Sequence, residues 1–163
     1  MNFIGVIGKT RILKNIIDNH VNIIKINSNN IENIKNVKFQ IVIINNDLKD
    51  FILKETFIKS IIENADCLII NSDLELKIDI LSNIKQKIIT CGLKQKSTIT
   101  ASSITEDNVL IDLQRNIETL NNKNVETQEK LIKLTENESY DIHEILINYA
   151  ISVLYNKKIM YKV

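Results

Sequence analysis

The sequence predicts an α/β fold, in which a mainly parallel sheet with flanking helices is followed by an antiparallel β meander and a C-terminal helix. Up to Gly92, short apolar runs alternate with stretches whose apolar residues recur at spacings of three and four. After Gly92, apolar and polar residues alternate with a period of two, as in strands with one solvated face. The length of 163 residues suits one domain, with the parallel part at 1–92 and the meander and final helix at 93–163.

Apolar runs in the first part predict strands that are buried on both faces, which is typical of parallel sheets. The predicted strands lie at residues 3–7, 21–26, 39–44, 67–70 and 87–91. Helical spacing predicts a helix that begins near Thr10, a short helix within 27–38, and further helices at 53–65 and 74–84. The helix near Thr10 rests on the spacing of Ile12, Leu13, Ile16 and Ile17. Strands separated by crossover helices give a parallel, Rossmann-like or P-loop-like sheet.

The second part has the pattern of antiparallel strands. Val109, Ile111 and Leu113 alternate with polar residues. Residues 120–124 predict a hairpin turn, and residues 125–134 a return strand. Asp141 stands at the start of the final helix, where a carboxylate is favourable beside the helix dipole. We expect this helix to pack back onto the sheet.

Composition restricts the partners and the location. Lys and Arg number 21 against 20 Asp and Glu, so the net charge of +1 creates no overall field that favours nucleic acid or an anionic membrane. No apolar run approaches the roughly 20 residues of a membrane span, and the N-terminus lacks the pattern of a signal peptide. We therefore expect a cytoplasmic protein with no nucleic-acid partner and no membrane span.

The small numbers of Pro, Gly and Cys residues indicate which residues form the turns and whether the cysteines are reduced. The chain has no Pro and only 3 Gly, so its turns must rely on Asn, Asp and Ser. Cys67 and Cys91 lie in apolar, strand-like runs and are too far apart in sequence to suggest a metal site. We expect both to be buried, reduced thiols.

The first strand runs directly into Gly8, Lys9 and Thr10, and two interpretations of this turn stay open. In one, Gly8 permits the bend and Thr10 caps a helix. In the other, the turn binds phosphate or a nucleotide weakly at the helix N-terminus with the help of Lys9. A full phosphate-binding loop needs a glycine five residues before Gly8, where the chain has Phe3.

The other polar residues of catalytic type form no recognisable set. His20 and His143 lie at helix ends in the predicted fold, and carboxylates such as Asp47 follow strand ends without a third partner. No serine stands in a nucleophile elbow. The sequence therefore predicts no catalytic residue, no metal site and no required cofactor.

The segment "KIITCGLKQKSTITASSI" at 87–104 resembles a stretch of the Mur ligase family, whose central domain has a strand of the type "ITYG" followed by one of the type "ADVRASNI". The segment "ADCLIINSDLE" at 65–75 is similar to the family's "D-x-x-V-x-N-x-D-D", with Asp66, Asn71 and Asp73 in the matching places. In "YDIHEILIN" at 140–148, His143 matches the family's adenine-contacting "G-x-H-N-x-x-N-A" motif.

The sequence differs from the Mur ligase family at the residues that carry out the family's chemistry. Gly8, Lys9 and Thr10 match only the end of the family's phosphate loop, and Glu144 and Ile147 replace both asparagines of the adenine motif. The family's long segment with a catalytic glutamate and a metal-binding histidine has no counterpart, and we expect no substrate or C-terminal ligase domain. The resemblance therefore implies a degenerate, truncated bacterial relative of the central domain that lacks ATP-dependent ligase activity.

Two functions follow from this interpretation. One is a binding or scaffold module, linked to cell-envelope processes by the resemblance alone, that associates through the meander at 98–134; a homodimer would cover its open edge. The alternative is a small enzyme or sensor that binds ATP, another nucleotide or a phosphorylated ligand near Gly8, Lys9 and Thr10, opposite the strand ends at Asn45 and Asn71. The resemblance adds Asn71, Asp73 and His143 to the residues that would bind this cofactor.

Overall fold

The computed structural model describes residues 1–76, 78–135 and 138–161. Within these residues the fold is α/β, with an eight-stranded, mostly parallel sheet, antiparallel strands towards the end of the chain and a C-terminal helix. The predicted fold class is therefore confirmed. Contacts divide the chain into two compact units, one formed by Met1–Thr10 with His20–Ile88 and the other by Arg11–Asn19 with Ile89–Val163.

The first unit contains the parallel strands. Its strands are β1 (Asn2–Gly8), β2 (Val21–Lys25), β3 (Ile41–Asn45) and β4 (Cys67–Asn71). They lie in the order β4, β3, β1, β2, and each neighbouring pair is parallel. Its α-helices are α1 (Ile31–Ile34), α2 (Glu55–Glu63) and α3 (Ile78–Leu81), and a 3₁₀ helix at Lys49–Lys54 leads into α2. The strand β5 (Lys87–Cys91) follows α3.

The core of this unit is built mainly from isoleucine. The strands β3 and β4 are buried along almost their whole length because helices cover parallel sheets. The helix α2 buries Ile58, Ile61 and Ile62, the stripe that the spacing of three and four predicts. Each such side chain stabilises the fold by about 1.5–3 kcal/mol relative to an exposed position.

The second unit contains the antiparallel strands and the final helix. Its elements are a 3₁₀ helix at Lys14–Ile16, β6 (Ile99–Ile104), β7 (Asn108–Leu113), β8 (Ile117–Glu118), β9 (Asn124–Val125), β10 (Gln128–Lys133) and α4 (Ile142–Leu154). β7 pairs antiparallel with both β6 and β10, whereas β6 pairs parallel with β5. β8 and β9 form a separate two-stranded sheet. The predicted return strand at 125–134 is thus split into β9 and β10.

The predicted helix near Thr10 is wrong. Leu13 has extended dihedrals, with φ −71° and ψ 127°, and only Lys14–Ile16 forms a 3₁₀ turn. Ile16 and Ile17 are buried, as their apolar spacing predicts, but they do not belong to an α-helix. The reason is that side chains of α4 bond the backbone of Arg11 and Leu13, which satisfies those groups without an α-helix.

Asparagine takes the place of glycine in several turns, as the composition predicts. Among the described residues, the non-glycine residues with positive φ are Asn83, Asn122 and Asn156. The helix α3 ends at Leu81, three residues before the predicted end at residue 84. Asn83 follows it with a φ of 63°, a conformation that commonly terminates helices. Asn122 lies in the predicted hairpin turn at 120–124. None of the described helices combines the length and the apolar character needed to cross a bilayer.

Candidate functional site

Polar side chains meet where the strands of the first unit end. Asn45 closes β3, and its Nδ2 donates to the Lys9 carbonyl at 2.8 Å and to the Thr10 Oγ1 at 3.1 Å. The Asn71 Nδ2 at the end of β4 donates to the Asn45 Oδ1 at 2.8 Å, and the Asn71 Oδ1 accepts from the Asp73 backbone N–H at 3.0 Å. Because parallel strands end at a common edge, these groups form one connected network, the carboxyl-edge network.

The carboxyl-edge network contains or adjoins most of the residues that the sequence singles out. Thr10, Asn71 and Asp73 belong to it directly, and Lys9 takes part through its carbonyl. The residue that connects them is Asn45, which the resemblance does not mark. Its signal in the sequence is its position, directly after the buried run of β3.

Gly8 has a role that depends on its lack of a side chain. Its φ is +95°, a conformation that L-residues rarely adopt. A Cβ at this position would lie 2.5 Å from the Asn45 carbonyl oxygen. Gly8 therefore lets the end of β1 approach the end of β3, which brings Lys9 and Thr10 within reach of the Asn45 amide.

Phosphate binding at a strand-to-helix turn requires backbone N–H groups and the positive end of a helix. Here Thr10 is followed by extended chain and a three-residue 3₁₀ turn. Within the second unit, the Arg11 N–H donates to the Glu144 Oε2 at 3.1 Å and the Leu13 N–H donates to the Asn148 Oδ1 at 2.9 Å. Lys9 itself is exposed. The Lys9 ammonium group is thus accessible to a ligand. The backbone N–H groups of Arg11 and Leu13 are not, because they already donate to side chains of the same chain.

His143 lies in the second unit, at the second position of α4. Its Nδ1 is 3.6 Å from the Asp141 Oδ1, and the same oxygen accepts from the Glu144 N–H at 3.1 Å as the N-cap of the helix. The role predicted for Asp141 at the helix start is thereby confirmed. Glu144 and Ile147, which replace the family's asparagines, have internal roles: Glu144 accepts from Arg11, and Ile147 is fully buried.

Asn148 is a residue that the sequence reasoning missed. Its side chain is 0% exposed and makes three hydrogen bonds. The Oδ1 accepts from the Leu13 N–H, while the Nδ2 donates to the Arg11 carbonyl at 2.8 Å and to the Glu144 carbonyl at 2.9 Å. A single asparagine within the apolar run of α4 is the signal that could have identified it, since buried polar groups are hydrogen-bonded.

A cavity of about 730 Å³ lies in the second unit, next to the segment that Asn148 holds. Its lining includes Arg11, Lys14, Glu138, Glu144 and Tyr161. The two cations and two carboxylates balance each other, so the lining selects neither an anion nor a cation. Among the described residues the Tyr161 hydroxyl has no hydrogen-bond partner, and burial raises its pKa.

The two cysteines are buried and form no disulfide, which confirms the prediction for them. Burial raises the pKa of Cys67 to about 12, with Asp66 adding to the shift and Lys87 opposing it. A thiol with so high a pKa is a poor nucleophile near neutral pH because its thiolate form is scarce.

Over residues 1–76, 78–135 and 138–161, no three His, Cys, Asp or Glu side chains are grouped in a way that could hold a metal ion. No model of a protein family matches the chain, and no curated protein matches it.

Proposed function

We propose that this chain is a binding module of Mur-ligase-like fold that works by associating with another protein chain, not by ligation. The contact surface is the meander at 98–134, and the observation that carries the proposal is its outermost strand. β10 lies at one end of the strand order, and its side chains are exposed except for Ile132. An edge strand with open backbone groups is a template for a further strand.

An exposed apolar side chain strengthens this interpretation of β10. Leu131 is 52% exposed in the middle of the strand, and Ile104 on β6 is 53% exposed. Single exposed apolar residues are ordinary on protein surfaces. Leu131 supports the proposal because it lies on an edge strand, where a partner strand would cover its side chain.

The proposal that ligation is absent rests on the geometry around Thr10. Ligation through an acyl phosphate needs a triphosphate held by a loop, a helix end and metal ions, because phosphoryl transfer depends on positioning and charge stabilisation. The chain has extended structure after Thr10, and the side chains of Asn45, Asn71 and Thr10 bond one another. The order of the elements, with parallel strands first and antiparallel strands and a helix last, agrees with the family resemblance.

A second candidate function is binding of a small nucleotide or phosphorylated ligand, and Lys9 is the observation that favours it. Its side chain is exposed, directly after Gly8 and beside the carboxyl-edge network. Ligands of open α/β sheets bind at this edge. An exposed lysine at such a place could hold a phosphate by charge.

A thermal-shift series separates the two functions. ATP, GTP and inorganic phosphate are each added with and without Mg²⁺ to the wild-type chain, to Lys9→Ala and to Lys59→Ala, an exposed lysine of α2 that serves as the control. A ligand at about ten times its Kd would raise the free energy of unfolding by about 1.4 kcal/mol and Tm by about 4 °C.

The binding-module proposal expects no shift with any of these ligands. A rise in Tm that Lys59→Ala keeps and Lys9→Ala loses would overturn it and establish the nucleotide site instead. A rise that both variants keep would place a ligand elsewhere and would also contradict the proposal.

A further inference from the structure

The backbone of β10 presents a regular set of open groups. The Leu134 N–H donates to the Asp107 carbonyl at 2.8 Å, in line with the pairing of Lys133 with Asn108. In an antiparallel ladder the residues that bond the neighbouring strand alternate with residues that point away from it. The N–H and C=O groups of Glu129, Leu131 and Lys133 therefore point away from β7. Within the described chain these groups make no backbone hydrogen bond outside the β7 ladder.

The side chains of the same three residues share one face of the sheet. Successive side chains of a strand alternate between faces, so Glu129, Leu131 and Lys133 lie opposite to the buried Ile132. All three are exposed. Along the strand, this face therefore carries an acidic, an apolar and a basic residue in that order. When a second copy of the strand runs antiparallel to it, each acidic residue can face a basic one.

We propose that a second copy of this chain pairs with β10 as an antiparallel strand, with a two-fold axis at Leu131. This inference rests on the proposed function and names its partner. Leu131 faces the partner's Leu131, and Glu129 faces the partner's Lys133 on each side of the axis. Each of these pairs joins residues whose backbone groups point outward, so the ladder continues across the interface without a bulge.

Charge selects this register over its neighbours. An axis at Glu129, Lys130 or Lys133 would place two like charges directly opposite each other, which is destabilising in a sheet. An axis at Ile132 would oppose Leu131 to Lys133 and leave Glu129 without a basic partner. The axis at Leu131 gives two pairs of opposite charge and one apolar pair.

The expected dimer is weak because one short strand from each copy buries much less than the roughly 1,600 Å² of a standard interface. We expect a Kd of roughly 10⁻⁵ to 10⁻³ M. Added salt should weaken it, since exposed ion pairs are screened.

Sedimentation equilibrium over a range of concentrations tests the proposal with charge reversals on the full chain. Glu129→Lys and Lys133→Glu each turn both ion pairs into like-charge pairs, and each should raise Kd by about tenfold or more. The double variant E129K/K133E restores opposite charges with their places exchanged and should return Kd to within about threefold of the wild-type value. Glu106→Lys and Lys94→Glu make the same charge changes at exposed positions outside β10 and should leave Kd unchanged.

Two further measurements examine the backbone. Amide hydrogen exchange should protect Glu129, Leu131 and Lys133 only at concentrations where the dimer forms. Leu131→Pro removes an outward N–H and the Leu131 side chain but no hydrogen bond to β7, a change that edge strands tolerate, and should abolish the dimer. Its circular dichroism spectrum should match that of the wild type, which separates loss of the dimer from loss of the fold.

A wild-type chain that stays monomeric up to about 1 mM would overturn the inference. So would a dimer that is indifferent to the single reversals, or a double variant that remains as weak as either single one. If the chain is monomeric and no nucleotide raises its Tm, the dimer is excluded but the proposed function stands, and its partner is then a protein of different sequence. A nucleotide effect lost in Lys9→Ala would overturn the proposed function itself.

Discussion

At the scale of single residues, Gly8 and Asn45 determine the shape of the carboxyl edge. Gly8 supplies a backbone conformation and a close approach that a side chain would block. Asn45 then uses its amide to hold Lys9 and Thr10 and accepts from Asn71. The glycine that resembles the end of a phosphate loop is thus explained by strand packing alone.

This explanation predicts a strong effect of Gly8→Ala on stability. The new Cβ would meet the Asn45 backbone, which cannot move aside as a side chain can, and the φ of +95° is strained for alanine. We expect the free energy of unfolding, measured in urea, to fall by about 2 kcal/mol or more. Gly5→Ala is the matched comparison, since its Cβ would meet the end of the Ile26 side chain at 2.6 Å.

The Gly5 Cβ would also lie 3.1 Å from two atoms of the buried Phe39 ring, but side chains can adjust where backbone cannot, so Gly5→Ala should cost less than Gly8→Ala, about 1–2 kcal/mol. A Gly8→Ala variant as stable as the wild type, or more stable than Gly5→Ala, would contradict the packing role given to Gly8.

At the scale of elements, the strands follow from the sequence more directly than the helices do. The predicted runs at 3–7, 21–26, 67–70 and 87–91 correspond to β1, β2, β4 and β5 because a buried strand shows its apolar character locally. The segment after β1 is different. Its apolar spacing fits a helix, yet the bonds that fix its conformation come from Glu144 and Asn148, about 130 residues further along the chain.

The candidate site shows the same division between local and distant causes. Strand ends can be located from the sequence, so the meeting of Asn71 and Asp73 with the end of β1 could be expected. The hydrogen bonds that join them through Asn45 depend on side-chain geometry, which periodicity does not reveal.

Asn148 is the residue on which the segment after β1 depends. Asn148→Ala would leave the Leu13 N–H and the Arg11 carbonyl, both part-buried, without the Asn148 amide as their partner. An unsatisfied buried group costs about 1–3 kcal/mol and a part-buried one costs less because water reaches it, so we expect the free energy of unfolding to fall by about 2 kcal/mol. Asn19→Ala, at an exposed position of the same segment, should change it by less than about 0.5 kcal/mol.

Hydrogen exchange gives a second measurement of the same contact. The Leu13 amide should exchange faster in Asn148→Ala than in the wild type, by more than global destabilisation explains. Equal protection of Leu13 in both chains would show that another group holds this segment.

At the scale of the whole molecule, Cys67 and Tyr155 should make the free energy of unfolding fall at alkaline pH, because the fold favours their neutral forms. Burial raises the pKa of Cys67 to about 12, and burial followed by the charge of Asp18 raises the pKa of Tyr155 to about 12. In the unfolded chain these groups have pKa values of about 8.5 and about 10. The folded chain therefore holds both protons more tightly than the unfolded chain does.

The sign of the pH effect follows from this difference. Below about pH 8.5 both states are protonated, so the contribution to stability is fully present. As the pH rises from about 9 towards 12, the unfolded chain loses its protons first and the free energy of unfolding falls. Urea unfolding at steps of pH between 7 and 11 measures the decline, with Cys67→Ala and Tyr155→Phe as the informative variants.

Each variant should remove one part of the decline. In Cys67→Ala the fall between about pH 9 and 11 should be smaller than in the wild type, although the variant is less stable at every pH because it loses buried volume. In Tyr155→Phe the fall should begin at the same pH as in the wild type but be shallower above pH 10. A wild-type chain whose stability is constant from pH 7 to 11, or a Cys67→Ala variant whose stability falls by as much as that of the wild type, would show that Cys67 exchanges protons as freely in the folded chain as in the unfolded one. That outcome would contradict its burial within β4.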